Sequence, residues 1–198
     1  MRALNFTMIA DLANFWEREF DSFPPEAHNL KHEFKDRWVR FHSLPESKRY
    51  PENEQEYLEV LHRHNTVLHE LVGKSHVFVV LPEYSESKEP AKPKSELTAI
   101  FPSTEPWCLP EQHEEGDDYE LYWHLHVSEI NFTGSELNSL FRLVANDKAG
   151  NIMIINPSKG VVFHPYDGGA DIVVASTKQR DQLKEKYHEW LSPHPEGF

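Results

Sequence analysis

The chain has 198 residues, and 33 Asp and Glu against 20 Lys and Arg give it a formal net charge of -13 at pH 7. Such a surface attracts basic proteins and repels nucleic acid and anionic membranes, so we expect a basic protein partner and neither nucleic-acid nor membrane binding. Because Cys108 is the one cysteine, a disulfide framework is excluded and a reducing compartment is favoured. Acidic residues interrupt the N-terminal apolar run before a signal peptide or spanning helix is complete, which predicts a cytoplasmic location.

The first half of the chain predicts two helices and two strands. Apolar residues recur at helical spacing over Met8–Phe20, and Arg37–Leu44 has the β-branched and aromatic alternation of a strand. A second helix is predicted over Asn53–Gly73, because its first residue and Glu56 form a cap pair and its last is the expected left-handed glycine. The continuous apolar run His76–Leu81 predicts a strand that is covered on both faces.

The second half alternates polar connections with further elements. Segments 84–95 and 102–118 are predicted to be exposed irregular connections, with Leu97–Pro102 as a short strand between them. Apolar and polar residues alternate over Tyr119–Val127, which predicts a strand with one core face and one wet face. The remaining patterns predict a capped helix, a hairpin, a strand and a terminal helix, over Thr133–Ala145, Asn151–Pro165, Ala170–Ala175 and Ser176–Leu191.

These elements together indicate the fold class. The links between the predicted strands are short, which favours antiparallel neighbours. We therefore predict an α+β fold in which residues 1–198 form a single domain. Its antiparallel sheet has about five to seven strands, with helices packed mainly on one face.

Two groups of histidines have spacings that bear on metal binding. His124 and His126 point the same way from one predicted strand and are the candidates for a metal site. A zinc site needs more ligands than such a pair supplies, so no metal or other cofactor is predicted. On the second predicted helix, His62, His64 and His69 are interpreted as solvated.

The turn between the last two predicted strands holds the candidate acid-base groups. Asp167 and Asp171 flank two glycines, and His164 and Tyr166 precede them. Paired carboxylates beside glycine backbone bind cations or act as acid and base in other proteins. The alternative is a hairpin turn in which Asp167 and Gly168 have positive φ and the aspartate bonds its own backbone. No catalytic residue is assigned; His164, Asp167 and Asp171 are the candidates that the pattern leaves.

An acidic stretch from Glu105 to Glu120 is the candidate binding surface. Exposed carboxylates would steer a basic partner, and aromatic side chains would anchor it. The candidate binding residues are Trp107, Glu111, Glu114, Glu115, Asp117, Asp118 and Tyr119. Cys108 has no nucleophile signature around it and is expected to be partly buried.

Four basic residues gather around the first predicted strand, namely Arg37, Arg40, Lys48 and Arg49. They are suited to binding an anion. The simpler interpretation is that they form ordinary surface ion pairs with the neighbouring glutamates Glu46, Glu52, Glu54 and Glu56.

A series of landmarks carries a family resemblance. Arg40 and Phe41 lie in a strand, followed by the helix Asn53–Leu71, the apolar strand His76–Leu81, and HPYDGGADIVVAS before LKEKYHEWL. In this order the chain resembles domain-of-unknown-function family 3885, a bacterial family, from about Trp38 to Leu191. The resemblance implies an α+β fold in the bacterial cytoplasm and brings no established reaction.

The turn departs from the family pattern at one point. The pattern reads Tyr-Asp-Asp-Arg-Gly, then an apolar residue and Asp. This chain keeps Tyr166, Asp167, Gly169 and Asp171 but has Gly168 and no arginine in the turn. An activity that used that arginine would be affected here.

Three functions are consistent with these patterns. The first is a non-catalytic acidic protein-binding module, such as an immunity or antitoxin-like inhibitor of a basic effector. The second is a small-ligand-binding protein or hydrolase-type enzyme with a carboxylate and histidine site around Tyr166–Asp171. The third is a scaffold whose turn is purely structural.

Overall fold

A computed structural model describes residues 2–21, 23–89, 91–107, 113–115 and 120–192. These residues form six α-helices and eight β-strands. The helices are α1 (Arg2–Phe20), α2 (Leu30–Glu33), α3 (Glu54–Val72), α4 (Ser95–Ile100), α5 (Asn138–Ala145) and α6 (Thr177–Lys186). The strands are β1 (Trp38–His42), β2 (Ser75–Ser85), β3 (Glu105–Trp107), β4 (His113–Glu115), β5 (Glu120–Phe132), β6 (Met153–Asn156), β7 (Val161–Tyr166) and β8 (Gly169–Val173). Within the described ranges, no helix is both long and apolar enough to cross a membrane.

All eight strands join one sheet, and each pair within it is antiparallel. Seven strands follow the order β1-β8-β7-β6-β2-β5-β3, and β4 pairs with β5 beside β3. The apolar strand β2 lies in the interior of this order, as predicted. The α+β fold with an antiparallel sheet is therefore confirmed.

The two faces of the sheet carry separate hydrophobic cores. On one face, here called the α3 face, α3 to α6 contribute residues such as Leu68, Leu97, Phe141 and Leu183. On the other, the α1 face, α1 and α2 contribute Leu12, Phe15, Trp16, Phe20 and Leu30. The α3 face carries four helices and the α1 face carries two, which agrees with the prediction that the helices pack mainly on one face. Each fully buried Leu or Phe stabilises the fold by about 1.5–3 kcal/mol.

The caps of α3 confirm the sequence pattern. The side chain of Asn53 accepts a hydrogen bond from the backbone N–H of Glu56, at 3.1 Å. At the other end, Gly73 has a φ of 63°, which a glycine adopts without steric cost. The helix therefore begins and ends where its sequence predicts.

Two predicted segments differ from the structure in their type of secondary structure. Leu97–Pro102 is not a strand, because most of it belongs to α4, which is capped by Phe101. Leu97, Ile100 and Phe101 all pack against the core on the α3 face. Segment 102–118 is not wholly irregular, since it contains β3 and β4. Three-residue strands are too short for a periodic signal, which explains why the pattern missed them.

Candidate functional site

Three adjacent strands bring Arg40, Asp171 and His164 into one row. In the sheet register, Arg40 of β1 and His164 of β7 both lie opposite Asp171 of β8. Trp38 lies two residues before Arg40 in β1, and Val162 lies two residues before His164 in β7. Both belong to the core on the α1 face, and alternate residues of a strand share a face, so the row lies on the α1 face. The fold thus assembles part of the predicted site.

Both oxygens of the Asp171 carboxylate accept hydrogen bonds. Arg40 donates from Nε to Oδ1 and from Nη2 to Oδ2, both at 2.7 Å, and Trp38 donates from Nε1 to Oδ1 at 3.0 Å. The guanidinium lies 5.5 Å from the Trp38 ring centre and 4.9 Å from that of Tyr166. Burial opposes the charge of Arg40, but its hydrogen bonds and attraction to Asp171 raise its pKa above the usual value. We call this the Arg40–Asp171 pair.

Asp167 is bonded from outside the turn. Arg49 donates from Nε to Oδ2 at 2.6 Å, with the aspartate side chain 7% exposed and the arginine 65% exposed. A hydrogen bond with Asp167 also raises the pKa of Tyr50. These partners replace the expected bond between Asp167 and its own backbone.

The turn is a hairpin loop of two residues, because Tyr166 pairs with Gly169. The hairpin interpretation is therefore right. Its expected positive φ at Asp167 and Gly168 is wrong, since neither is among the residues with positive φ. A Cβ on Gly169 would lie 2.1 Å from the carbonyl oxygen of Phe41, so glycine is required there by the close approach of β1.

The imidazole of His164 is enclosed. Its Nδ1 donates to the carbonyl oxygen of Ile152 at 2.8 Å, and the residue is 5% exposed. Burial lowers its pKa, so the ring is neutral near pH 7. Arg40 thus links β1 to Asp171 of β8, and Arg49 links the segment after β1 to Asp167 in the turn between β7 and β8.

The basic residues around β1 are also paired. Arg37 reaches Glu19, and Lys48 reaches Glu52 and Glu56. With the two pairs described above, all four predicted cations have carboxylate partners, but Arg40 and Arg49 take theirs from the distant turn. Of the four cations, only Lys48 pairs with the neighbouring glutamates that the sequence predicts as partners.

A comparison with known protein families identifies the family of the chain. The chain matches a family described as Domain of unknown function (DUF3885) over residues 27–195, which is most of its length. The chain belongs to this family. Searches of curated proteins and of solved structures gave no match. The DUF3885 match includes the turn and all eight strands, whereas α1 lies before it.

The two strand histidines of the DUF3885 domain lie away from the turn. His126 and His124 share the α3 face of β5 with Phe132, opposite to the row of Asp171. Nε2 of His126 donates to the carbonyl oxygen of Ala91 at 2.7 Å, and Nε2 of His124 lies 2.9 Å from the Ser85 hydroxyl. The predicted wet face is therefore partly covered by the chain that follows β2. Among the described residues, no three His, Cys, Asp or Glu are grouped as metal ligands.

The candidate binding residues divide into three groups. Trp107 is buried, because the pairing of β3 with β5 places it on the α1 face, 5.6 Å from Trp16 between ring centroids. Its prediction as an exposed anchor is wrong. Glu114 and Glu115 lie in β4, which pairs with β5. Outside the described residues lie Cys108, Glu111, Asp117, Asp118 and Tyr119.

A buried polar cluster beneath α3 was missed. His64 is 4% exposed and Arg63 is 7% exposed, and the Ser43 hydroxyl lies 3.4 Å from Nε2 of His64. Burial, with a smaller contribution from the charge of Arg63, lowers the pKa of His64 to about 3. The prediction that His64 is solvated is wrong, although His62 and His69 are exposed as expected.

A signal for this cluster was present in the helical spacing. His64 lies three residues after Leu61 and four before Leu68, so it occupies the apolar stripe of α3. The charge beside its ring belongs to Arg63, so within the described part of the chain the Ser43–His64 contact lacks the orienting carboxylate of a catalytic triad.

Proposed function

We propose that this protein is a non-catalytic protein-binding module whose partner is basic. The observation that carries the proposal is the uneven distribution of charge along the chain. From Glu105 to Glu120 there is no Lys or Arg, while the carboxylates are Glu105, Glu111, Glu114, Glu115, Asp117, Asp118 and Glu120. These seven charges exceed half of the net charge of -13.

The position of this stretch supports the proposal. Its described parts, β3 and β4, both pair with β5 at one edge of the sheet. Edge strands offer unpaired backbone groups to an incoming chain, and acidic side chains beside them select a basic one. We call this surface, residues 105–107 and 113–115 with Glu120, the acidic edge.

The finer proposal is an immunity or antitoxin-like protein of the bacterial cytoplasm that covers the active site of a basic effector. Concentrated opposite charges steer such pairs together rapidly, and the association rate falls as salt screens them. An inhibitor needs no catalytic group of its own.

The catalytic alternative has less geometric support. Asp167 and Asp171 hold arginines, and the His164 ring donates to backbone. A general base needs a free lone pair within reach of substrate, and neither carboxylate is unengaged.

The test compares two variants of equal net charge. In the edge variant, Glu114 and Glu115 of the acidic edge, and Asp117 and Asp118 of the same acidic stretch of sequence, become Gln or Asn. In the control variant, the same number of exposed carboxylates is neutralised elsewhere, at Asp11, Glu17, Glu33 and Asp36. Tagged wild type and both variants are used to capture proteins from the host lysate at low and high salt.

We expect the wild type and the control to retain the same basic protein, released as salt rises, and the edge variant to lose it. Purified partner then gives association rates and any inhibition of its activity. Equal capture by both variants would show that overall charge, not the acidic edge, attracts the partner. Inhibition without dependence on the edge would place the interface elsewhere.

A further inference from the structure

A cavity of about 170 Å³ lies at the opposite edge of the sheet from the acidic edge. It is formed by the end of β1, the turn Pro45–Ser47, α3 and the turn His188–Trp190. At about 30 Å³ per molecule, it has room for some five or six waters, or one small organic ligand.

One wall supplies positive charge. Arg63 donates from Nε to Glu59 at 2.6 Å and from Nη1 to the carbonyl oxygen of His42 at 3.1 Å. Its Nη2 group has no acceptor among the described residues. The Trp190 ring covers the Arg63 guanidinium, whose Cζ lies 5.3 Å from the ring centroid, and this limits the access of water to the arginine. This arginine therefore retains donors for a carboxylate.

The same cavity carries two carboxylates. Glu46 and Glu189 line it and are exposed, and neither has an ion-pair partner among the described residues. They do not pair with Arg63 across the cavity, because it bonds to Glu59. The cavity thus holds two carboxylates without an ion-pair partner beside an arginine that is paired with Glu59 and keeps its Nη2 donors.

The backbone at the cavity mouth is strained. Glu46 and Ser47 both have a φ of 57°, in the left-handed region that favours glycine. Each such non-glycine residue costs about 1–2 kcal/mol, and strain of this kind concentrates at functional sites. Two successive strained residues therefore line the cavity.

A larger groove provides a contrast. It measures about 360 Å³ between α3 and α6, but its charged residues, Lys186 and Glu70, pair with each other at 2.6 Å. The larger volume therefore offers no unpaired charge from these two groups. The smaller cavity differs because Glu46 and Glu189 have no ion-pair partner among the described residues.

We propose that the cavity binds a small zwitterion of the α-amino acid class. The ligand carboxylate bonds to Arg63, and its ammonium lies by Glu46 and Glu189. Leu44 and Trp190 provide apolar surface for a short side chain. A simple anion would be repelled by the glutamates, and a simple cation would leave the Nη2 donors of Arg63 without an acceptor, so the polar pattern selects a ligand with both groups.

The neutral form of His42 completes the polar lining. Burial, followed by the charge of Arg40, lowers the pKa of this histidine. Its Nε2 is buried without a partner in the described residues. His42 also borders an adjoining void of about 10 Å³, which is the size of one water. A water in this void can link the His42 ring to a bound ligand.

The first experiment measures melting temperatures with each standard amino acid at about 10 mM, which reveals sites of low-millimolar affinity or better. The best ligand is then titrated by calorimetry beside two analogues, its amine without the carboxylate and its acid without the amine. For alanine these are ethylamine and propionate. We expect one or more amino acids to bind, and both analogues to bind at least about tenfold more weakly.

Site variants locate the binding. Glu189→Gln is expected to weaken the amino acid about tenfold, whereas Glu185→Gln, an exposed carboxylate on α6 outside the cavity, leaves affinity unchanged. The indole NMR signal of Trp190, assigned with Trp190→Phe, should shift on binding.

Three outcomes would overturn the proposal. These are no binding by any amino acid, equal binding by one singly charged analogue, and equal loss in Glu189→Gln and Glu185→Gln. The site stands independently of the acidic edge, so failure of one proposal leaves the other intact.

Discussion

Arg40 and Arg63 are both largely buried, yet their guanidinium groups are used differently. Arg40 donates twice to Asp171 and lies between two aromatic rings. Arg63 donates once to Glu59 and once to backbone, and it faces a cavity with two unpaired carboxylates. The first arrangement is complete within the protein, whereas the second has unused polar groups.

This difference distinguishes a structural polar cluster from a candidate binding site. Buried polar groups are normally satisfied, and those that are not require an explanation. By that criterion the Arg40–Asp171 pair is a cross-strand tie, although the sequence around Asp171 is the more unusual. The Arg63 cavity is the candidate site, although its sequence attracts little notice.

The largest expected effect is on the Arg40–Asp171 pair. Asp171→Asn leaves Arg40 as a largely buried charge without its partner, which typically costs about 3–5 kcal/mol. Urea unfolding followed by tryptophan fluorescence measures the change in free energy of unfolding. A loss below about 1 kcal/mol would mean that water compensates Arg40, as at an exposed pair.

A double variant separates the charge from the shape of the site. Arg40→Met with Asp171→Leu removes both charges, and replacing a buried pair by apolar residues is often neutral. We expect the double variant to be more stable than Asp171→Asn alone. If it were less stable, the directional bonds and Trp38 contact would dominate over charge compensation.

The second-largest effect is the pH dependence of stability that is expected from His64, which lies beside Arg63 in α3. Its folded pKa of about 3 lies below the ordinary 6.5, so the unfolded chain binds a proton that the folded chain does not. Stability therefore falls as pH drops below 6.5, by at most about 1.4 kcal/mol per pH unit for this group. Buried His164 acts in the same direction.

The variant His64→Gln should flatten this dependence. Unfolding is compared between pH 6.5, the ordinary histidine value, and about pH 5, a range that lies above the ordinary carboxylate pKa values. The control is His62→Gln on the exposed side of α3, which should keep the wild-type slope. Equal slopes in wild type and His64→Gln would mean that His64 charges without unfolding.

The sequence predicts the frame of the fold better than its sites. Helix α3 was predicted with both caps, and β2 as an interior strand, because capping and apolar runs are local patterns. Strand β3 was missed because three residues cannot show a period. Helix α4 was assigned as a strand, although Leu97 and Phe101 have helical spacing.

The candidate site shows the limit more clearly. Asp171 was selected as a functional carboxylate because nothing in the sequence reveals that Arg40, 131 positions away, is its partner. Arg63 was not selected, since its cavity is formed with Glu46 and Glu189 from distant segments. Whether a polar group finds a hydrogen-bond partner depends on strand register and on which distant segments pack together, and local sequence patterns contain neither.

A smaller effect is expected at Asp167. It pairs with Arg49, whose side chain is 65% exposed, so water screens the charge that Asp167→Asn leaves behind. The expected loss is at most about 1 kcal/mol, measured by the same urea unfolding as Asp171→Asn. If both asparagine variants lost equal stability, burial of the arginine would not distinguish the two pairs.

The smallest effect concerns the strained mouth of the cavity. Ser47→Gly removes the left-handed penalty of about 1–2 kcal/mol but adds about 0.5–1 kcal/mol of unfolded-state entropy, so a gain near 0.5 kcal/mol is expected. Ser47→Ala, which keeps a Cβ, should show no gain. If the glycine variant is more stable but binds the amino acid more weakly, the strain serves the cavity. If stability rises and affinity is unchanged, the strain follows only from the tight turn after β1, and the cavity selects its ligand by charge alone.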